Sequence, residues 1–216
     1  MGSIAPALSE ISAVALGKEL WLKHQDTISG FWDSIAQFFN SLEIKGFKVF
    51  QDGLLADGKD GLIIINEGVR QGSVNYEIIA GLLRRGAILI KTEDSFIVKK
   101  EYSYIKKVTE AKSTRERETA ALRYKLAQRK LLEDRDKFIV RTIDETLQEG
   151  DTGILFIGAY HEVLSKLPAD IHIVQVKAVT MVKEYHRVLN NINTRTQTQF
   201  QKLTEYLISP ISNTLS

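Results

Sequence analysis

Gly153-Ile154-Leu155-Phe156-Ile157-Gly158-Ala159-Tyr160-His161 is the stretch on which the reading of this 216-residue chain turns. A short run of large apolar residues bounded by glycines predicts a buried strand, and a histidine stands just past its end. Downstream, Pro168 and Asp170 turn the chain into Ile171-His172-Ile173-Val174-Gln175-Val176, which reads as another strand. Upstream, Ala87-Ile88-Leu89-Ile90 and the shorter Lys48-Val49-Phe50 read the same way. Helical patterns separate these strands. The expected fold class is therefore α/β, with a mainly parallel sheet of about four strands flanked by helices.

The helical segments differ in character. Residues 1–45 look helical: Ser9 is placed to cap a first helix, and Phe31, Ile35, Phe38, Phe39 and Leu42 recur at helical spacing. Residues 57–86 hold six glycines. Leu62 to Ile65 there fits either a buried strand or the start of a helix running to Arg70. Ser73 is placed to cap a helix over 75–85, with Gly86 at its C-terminal end. Residues 97–149 contain neither Gly nor Pro and predict a long charged helical region. Residues 178–208 predict a C-terminal helix whose middle, 190–201, is polar. The domain organisation expected is one α/β domain over 1–216: an N-terminal helical segment (1–45), a core (46–176), and a C-terminal helix and tail (177–216).

Composition narrows the function classes. The chain has no cysteine, which removes disulfide scaffolds and thiolate metal sites. The net charge is +2, and between positions 91 and 149 there are 15 basic and 12 acidic residues, which leaves 14 basic and 15 acidic elsewhere. Interleaved signs read as a solvated helix face, so no nucleic acid is expected as a partner. No apolar run approaches the roughly 20 residues of a membrane span. Residues 1–20 lack the basic start of a signal peptide, and the localisation expected is cytoplasmic.

Ligands of parallel sheets bind beyond the carboxyl ends of the strands. That rule selects Asp52, the pair Glu93 and Asp94, and the segment Gly158 to His161. His161 is the expected acid/base or ligating group, unless it only caps the helix that follows. Gly158 would let the backbone approach a ligand, with Tyr160 beside it. Arg135 lies on an apolar helical stripe with Leu131 and Phe138, and Asp136 lies on the neighbouring stripe of Leu132, Ile139 and Ile143. A charge there is costly unless paired, so Arg135 either snorkels or holds an anion or a carboxylate. The carboxylates Asp52, Glu93 and Asp94 are candidates for a general base or a divalent-cation ligand.

Arg135-Asp136, Ile143, the run Gly153 to His161, Leu167 and the stretch 171–176 together resemble the C-terminal part of the TraB/Tiki-like proteins. They are also similar to the ChaN-like and erythromycin-esterase-like groups. The resemblance covers about residues 130–176. It implies an α/β fold in which Arg135 and His161 face one pocket, used for metal-dependent peptide cleavage, ester hydrolysis or ligand binding. Those families carry an earlier Gly-x-x-His or Glu-x-x-His after another strand, which this chain lacks before residue 130; Asp52 or Glu93-Asp94 would stand in. The expectation is a hydrolase-like or ligand-binding pocket with His161, Arg135 and Asp94 as catalytic residues. Gly158, Tyr160, Asp52 and Glu93 would line it, around a small-molecule or peptide ligand; the cofactor is left open, with a divalent metal as one option. The alternative is a non-catalytic regulatory or interaction module, a homo-oligomer formed through the long helices.

Overall fold

The computed structural model describes residues 17–212, in helices α1 (Lys18–Asn40), α2 (Gly58–Arg70), α3 (Val74–Arg84), α4 (Ser95–Thr109), α5 (Thr114–Thr146), α6 (Val179–Leu189) and α7 (Gln197–Ile208). The strands are β1 (Lys48–Gln51), β2 (Ile88–Ile90) and β3 (Gly153–Phe156), and Leu164–Lys166 is a single 3-10 turn. The expected cap at Ser9 and the beginning of the N-terminal segment lie outside the described residues. The described residues divide into two compact units, one of 17–44, 68–78 and 173–212, the other of 45–67 and 79–172.

The second unit carries the sheet. Its strand order is β2-β1-β3, all parallel, with Val49 paired to Leu89 on one side and to Ile154 on the other. β1 is the central strand, and Val49 and Phe50 are almost fully buried. Phe50 packs with Ile139 and Ile143 of α5 and with Val163 beyond β3. α2 can lie close to β2 because Gly61 has no side chain: a Cβ there would sit 2.9 Å from Leu89 Cδ2 and 2.5 Å from the Ala56 carbonyl oxygen. The chain runs from β1 to β2 on one side, then back across to β3 on the other. The carboxyl ends of β1 and β3 therefore flank a topological switch point.

The first unit is helical. Tyr185 of α6 is fully buried and stacks between His24 of α1 and Phe200 of α7, at ring-centroid distances of 5.8 and 5.4 Å. Its hydroxyl is 2.9 Å from His24 Nδ1. Val188, Leu189, Leu203 and Leu207 complete this core.

The mixed α/β class and the parallel sheet flanked by helices are as expected, with three strands among the described residues where about four were predicted. Residues 171–176 are the difference. Their β-branched run fits a strand, but among the described residues they form no strand, and Gln175 instead accepts from the Val179 amide at the start of α6. Leu62–Ile65 lies within helix α2. The region 97–149 is two helices rather than one. Ser113 Oγ accepts from the Glu116 amide, and the Glu116 carboxylate accepts from the Lys112 amide, so a capping motif ends one helix and starts the next without Gly or Pro. The C-terminal helix is interrupted in its polar middle, where Asn193 accepts from the amides of Arg195 and Thr196.

Candidate functional site

The carboxyl ends of the three strands are stitched together by backbone. The Asp52 amide donates to the Phe156 carbonyl at 2.9 Å, tying β1 to the end of β3. The amides of Thr92 and Glu93 both donate to the Leu54 carbonyl at 3.0 Å, and the buried Thr92 hydroxyl donates to the Gln51 carbonyl. Three loops that diverge in sequence are thereby held as one platform.

Onto this platform α5 lowers two adjacent charges. Arg135 Nη2 donates to Asp52 Oδ1 at 2.8 Å and to Glu93 Oε1 at 2.5 Å, and its Nε donates to Glu93 Oε1 at 2.9 Å. Asp136 Oδ1 is 2.6 Å from His161 Nδ1, while its Oδ2 accepts from the Glu162 amide and from Lys166 Nζ. His161 Nε2 is 3.2 Å from Asp52 Oδ2. The result is one chain in which acidic and basic side chains alternate: Glu93, Arg135, Asp52, His161, Asp136, Lys166. Burial is graded along it. Glu93, Asp136 and His161 are 1, 2 and 8% exposed, whereas Asp52 and Arg135, at 20 and 21%, form its solvent-facing edge.

Both ring nitrogens of His161 face carboxylates. A neutral imidazole has one N–H and satisfies only one of them; the imidazolium has two and satisfies both. The hydrogen bond to Asp52 raises the His161 pKa above its ordinary value, burial opposes it, and the charges of Asp52 and Asp136 add to the rise. Burial alone would push Asp52 up, but the His161 hydrogen bond, the His161 charge and Arg135 together hold it below the usual range. Glu93 moves the other way. Burial raises it in spite of Arg135, and its Oε2 is buried with no hydrogen-bond partner among the described residues.

Of the residues selected from sequence, the structure brings Asp52, Glu93, Arg135 and His161 into one network. Asp94 is placed differently: its carboxylate accepts from the Phe96 amide and caps α4. Gly158 does not use glycine's left-handed freedom, and a Cβ there would meet the His161 ring at an ordinary 3.5 Å. Tyr160 is 64% exposed. Asp136 and Lys166 belong to the network and were not selected. Asp136 had a signal, a carboxylate on the stripe of Ile139 and Ile143; Lys166 had none. Lys166 also borders an open groove of about 420 Å³ with Lys137, Val140, Arg141 and Asp144. Among the described residues no group of three or more His, Asp or Glu side chains is arranged to hold a metal ion. No helix among them is long and apolar enough to cross a membrane.

Comparison with known proteins finds no matching family model, no matching curated protein and no matching solved structure.

Proposed function

We propose that the carboxyl edge of the sheet is a ligand-binding, hydrolase-like site in which His161 is the acid. The observation that carries this reading is the position of His161: its two ring nitrogens lie between Asp136 and Asp52, at 2.6 and 3.2 Å, at the switch point between β1 and β3. Ion networks that serve stability alone have no need to assemble at that edge, where the fold collects loop residues from three strands. Asp136 fixes the ring through Nδ1, as the carboxylate behind a catalytic histidine does. Nε2–H then points toward the solvent-facing edge and is shared with Asp52. A small-molecule or peptide ligand meets Asp52 and Arg135 first. Asp52 accepts a proton from an attacking water, whose oxygen bonds to the ligand's carbonyl carbon, while His161 delivers its Nε2 proton to the departing oxygen or nitrogen. Arg135 holds Glu93 and Asp52 through Nε and Nη2, which leaves its Nη1 to orient the ligand. The same pairing of an Arg-Asp helix with a Gly-x-x-His strand end underlies the resemblance to TraB/Tiki-like proteins, and supports hydrolysis as the reaction class.

The test is a panel of chromogenic esters and short fluorogenic peptides turned over by the full chain and by His161→Gln. Turnover that is lost in the variant, with the circular dichroism spectrum retained, is the expected result. Turnover equal in both proteins, or a panel that neither hydrolyses nor raises the melting temperature of the native chain, contradicts it.

A further inference from the structure

We propose that the α4–α5 hairpin binds nucleic acid through the phosphate backbone. Between Ser95 and Lys130 there are 11 Lys and Arg against 4 Asp and Glu, a net of +7, which leaves −5 for the rest of the chain. Averaged over 91–149 this excess is hidden, because the acids cluster at Glu93–Asp94 and after Glu133. The hairpin is also set apart by packing. No residue of α4 is buried, and the first buried residue of α5 is Leu131. It is held by one seam, in which Tyr104 stacks on Tyr124 at 6.2 Å and the Tyr124 hydroxyl donates to Glu101.

An open groove of about 580 Å³ runs along that seam, with Lys107, Lys112 and Arg123 among its walls. Two carboxylates also border it. Glu116 is committed to capping α5 through the Lys112 amide, and Glu110 pairs with Lys106. Among the described residues Lys107, Lys112 and Arg123 make no ion pair, and Lys107 lies over the Tyr104 ring at 5.9 Å, so their charges are offset only in part by the two carboxylates.

The charge decides between three occupants. A second copy would place two hairpins of +7 side by side, which opposes self-association through this surface. A membrane surface needs an apolar face set apart from the cations. The exposed Leu122 and Leu126 instead share their helix face with Arg115, Glu118, Lys125 and Arg129. A phosphate backbone needs only a dense row of cations, and aromatic rings standing among them add stacking for unpaired bases. Tyr102, 64% exposed between Lys99-Lys100 and Lys106-Lys107, supplies such a ring. Single strands should therefore bind more tightly than duplex.

Fluorescence anisotropy of a labelled mixed-sequence single-stranded 20-mer, titrated with the full chain across a salt series, tests this. Binding through about four phosphates gives a log–log salt slope of about −3, and the triple variant Lys107→Gln, Lys112→Gln, Arg123→Gln reduces that slope by about 2. All three side chains are exposed, so an unchanged melting curve certifies the fold of the variant. Absence of binding in 50 mM salt (roughly, where such contacts are strong) overturns the proposal. So does binding that the triple variant leaves unchanged. Capture by phosphatidylserine vesicles that the oligonucleotide does not compete away would assign the surface to a membrane and also overturn it.

Discussion

Helix α5 is one continuous element with two opposite solutions to the problem of charge. In its second half Arg135 and Asp136 enter the interior, and each is matched: Arg135 by two carboxylates, Asp136 by His161, Lys166 and a backbone amide. In its first half the charges stay in water, one sign dominates, and only surface pairs such as Lys130 with Asp134 offset it. Burial accounts for the difference. An unmatched charge costs several kcal/mol out of water and almost nothing in it. The interior half is therefore constrained by electrostatic pairing, and the exposed half is free to carry an excess that a partner can use.

The sharpest way to break that comparison is to remove the anion that serves three donors. Asp136→Ala should destabilise the chain by about 3–5 kcal/mol, read by urea unfolding, because it strands a buried His161 and the Glu162 amide. Arg135→Met should cost about 3 kcal/mol by leaving Glu93 and Asp52 facing each other. Adding Glu93→Gln should recover part of that loss, and additive effects would show that the two residues are not coupled. Next in size is a pH effect. A histidine whose folded pKa lies above 6.5 contributes stability that is complete below that value and is lost as pH rises through the folded pKa. Unfolding free energy should accordingly fall as pH rises above 6.5 in the native chain, and His161→Gln should flatten that fall. Smallest is the exposed half. Leu126→Ser, at a side chain 74% exposed, should alter stability by no more than about 0.5 kcal/mol. A larger loss would mean that this face is covered.

Much of this contrast was legible in sequence, for identifiable reasons. The β3 run and the strands at 48–50 and 88–90 are apolar segments between turn residues, and the strand-end rule placed Asp52, Glu93 and His161 without coordinates. The Arg135 and Asp136 charges on apolar stripes announced that they needed partners, but not which ones, since the partners are 25 to 83 residues away. Glu93 and Asp94 are indistinguishable as types. Only the start of α4 at Ser95 makes Asp94 a cap and turns Glu93 inward. Residues 171–176 show the converse, a strand-like composition that forms no strand among the described residues. The basic hairpin was obscured by a window drawn across two helices that a Ser–Glu cap divides.

The most direct test of the site is a proton NMR titration of the histidine ring protons, with His24 and His161 assigned by substitution. Burial, with His186 adding to it, lowers His24, whereas the Asp52 hydrogen bond and the flanking carboxylates raise His161 against burial. The midpoints are expected on opposite sides of 6.5, His24 below and His161 above, with His161 moving down in Asp52→Asn. A His161 midpoint at or below 6.5 would contradict this, because the imidazole would then not be the cation that joins the two carboxylates.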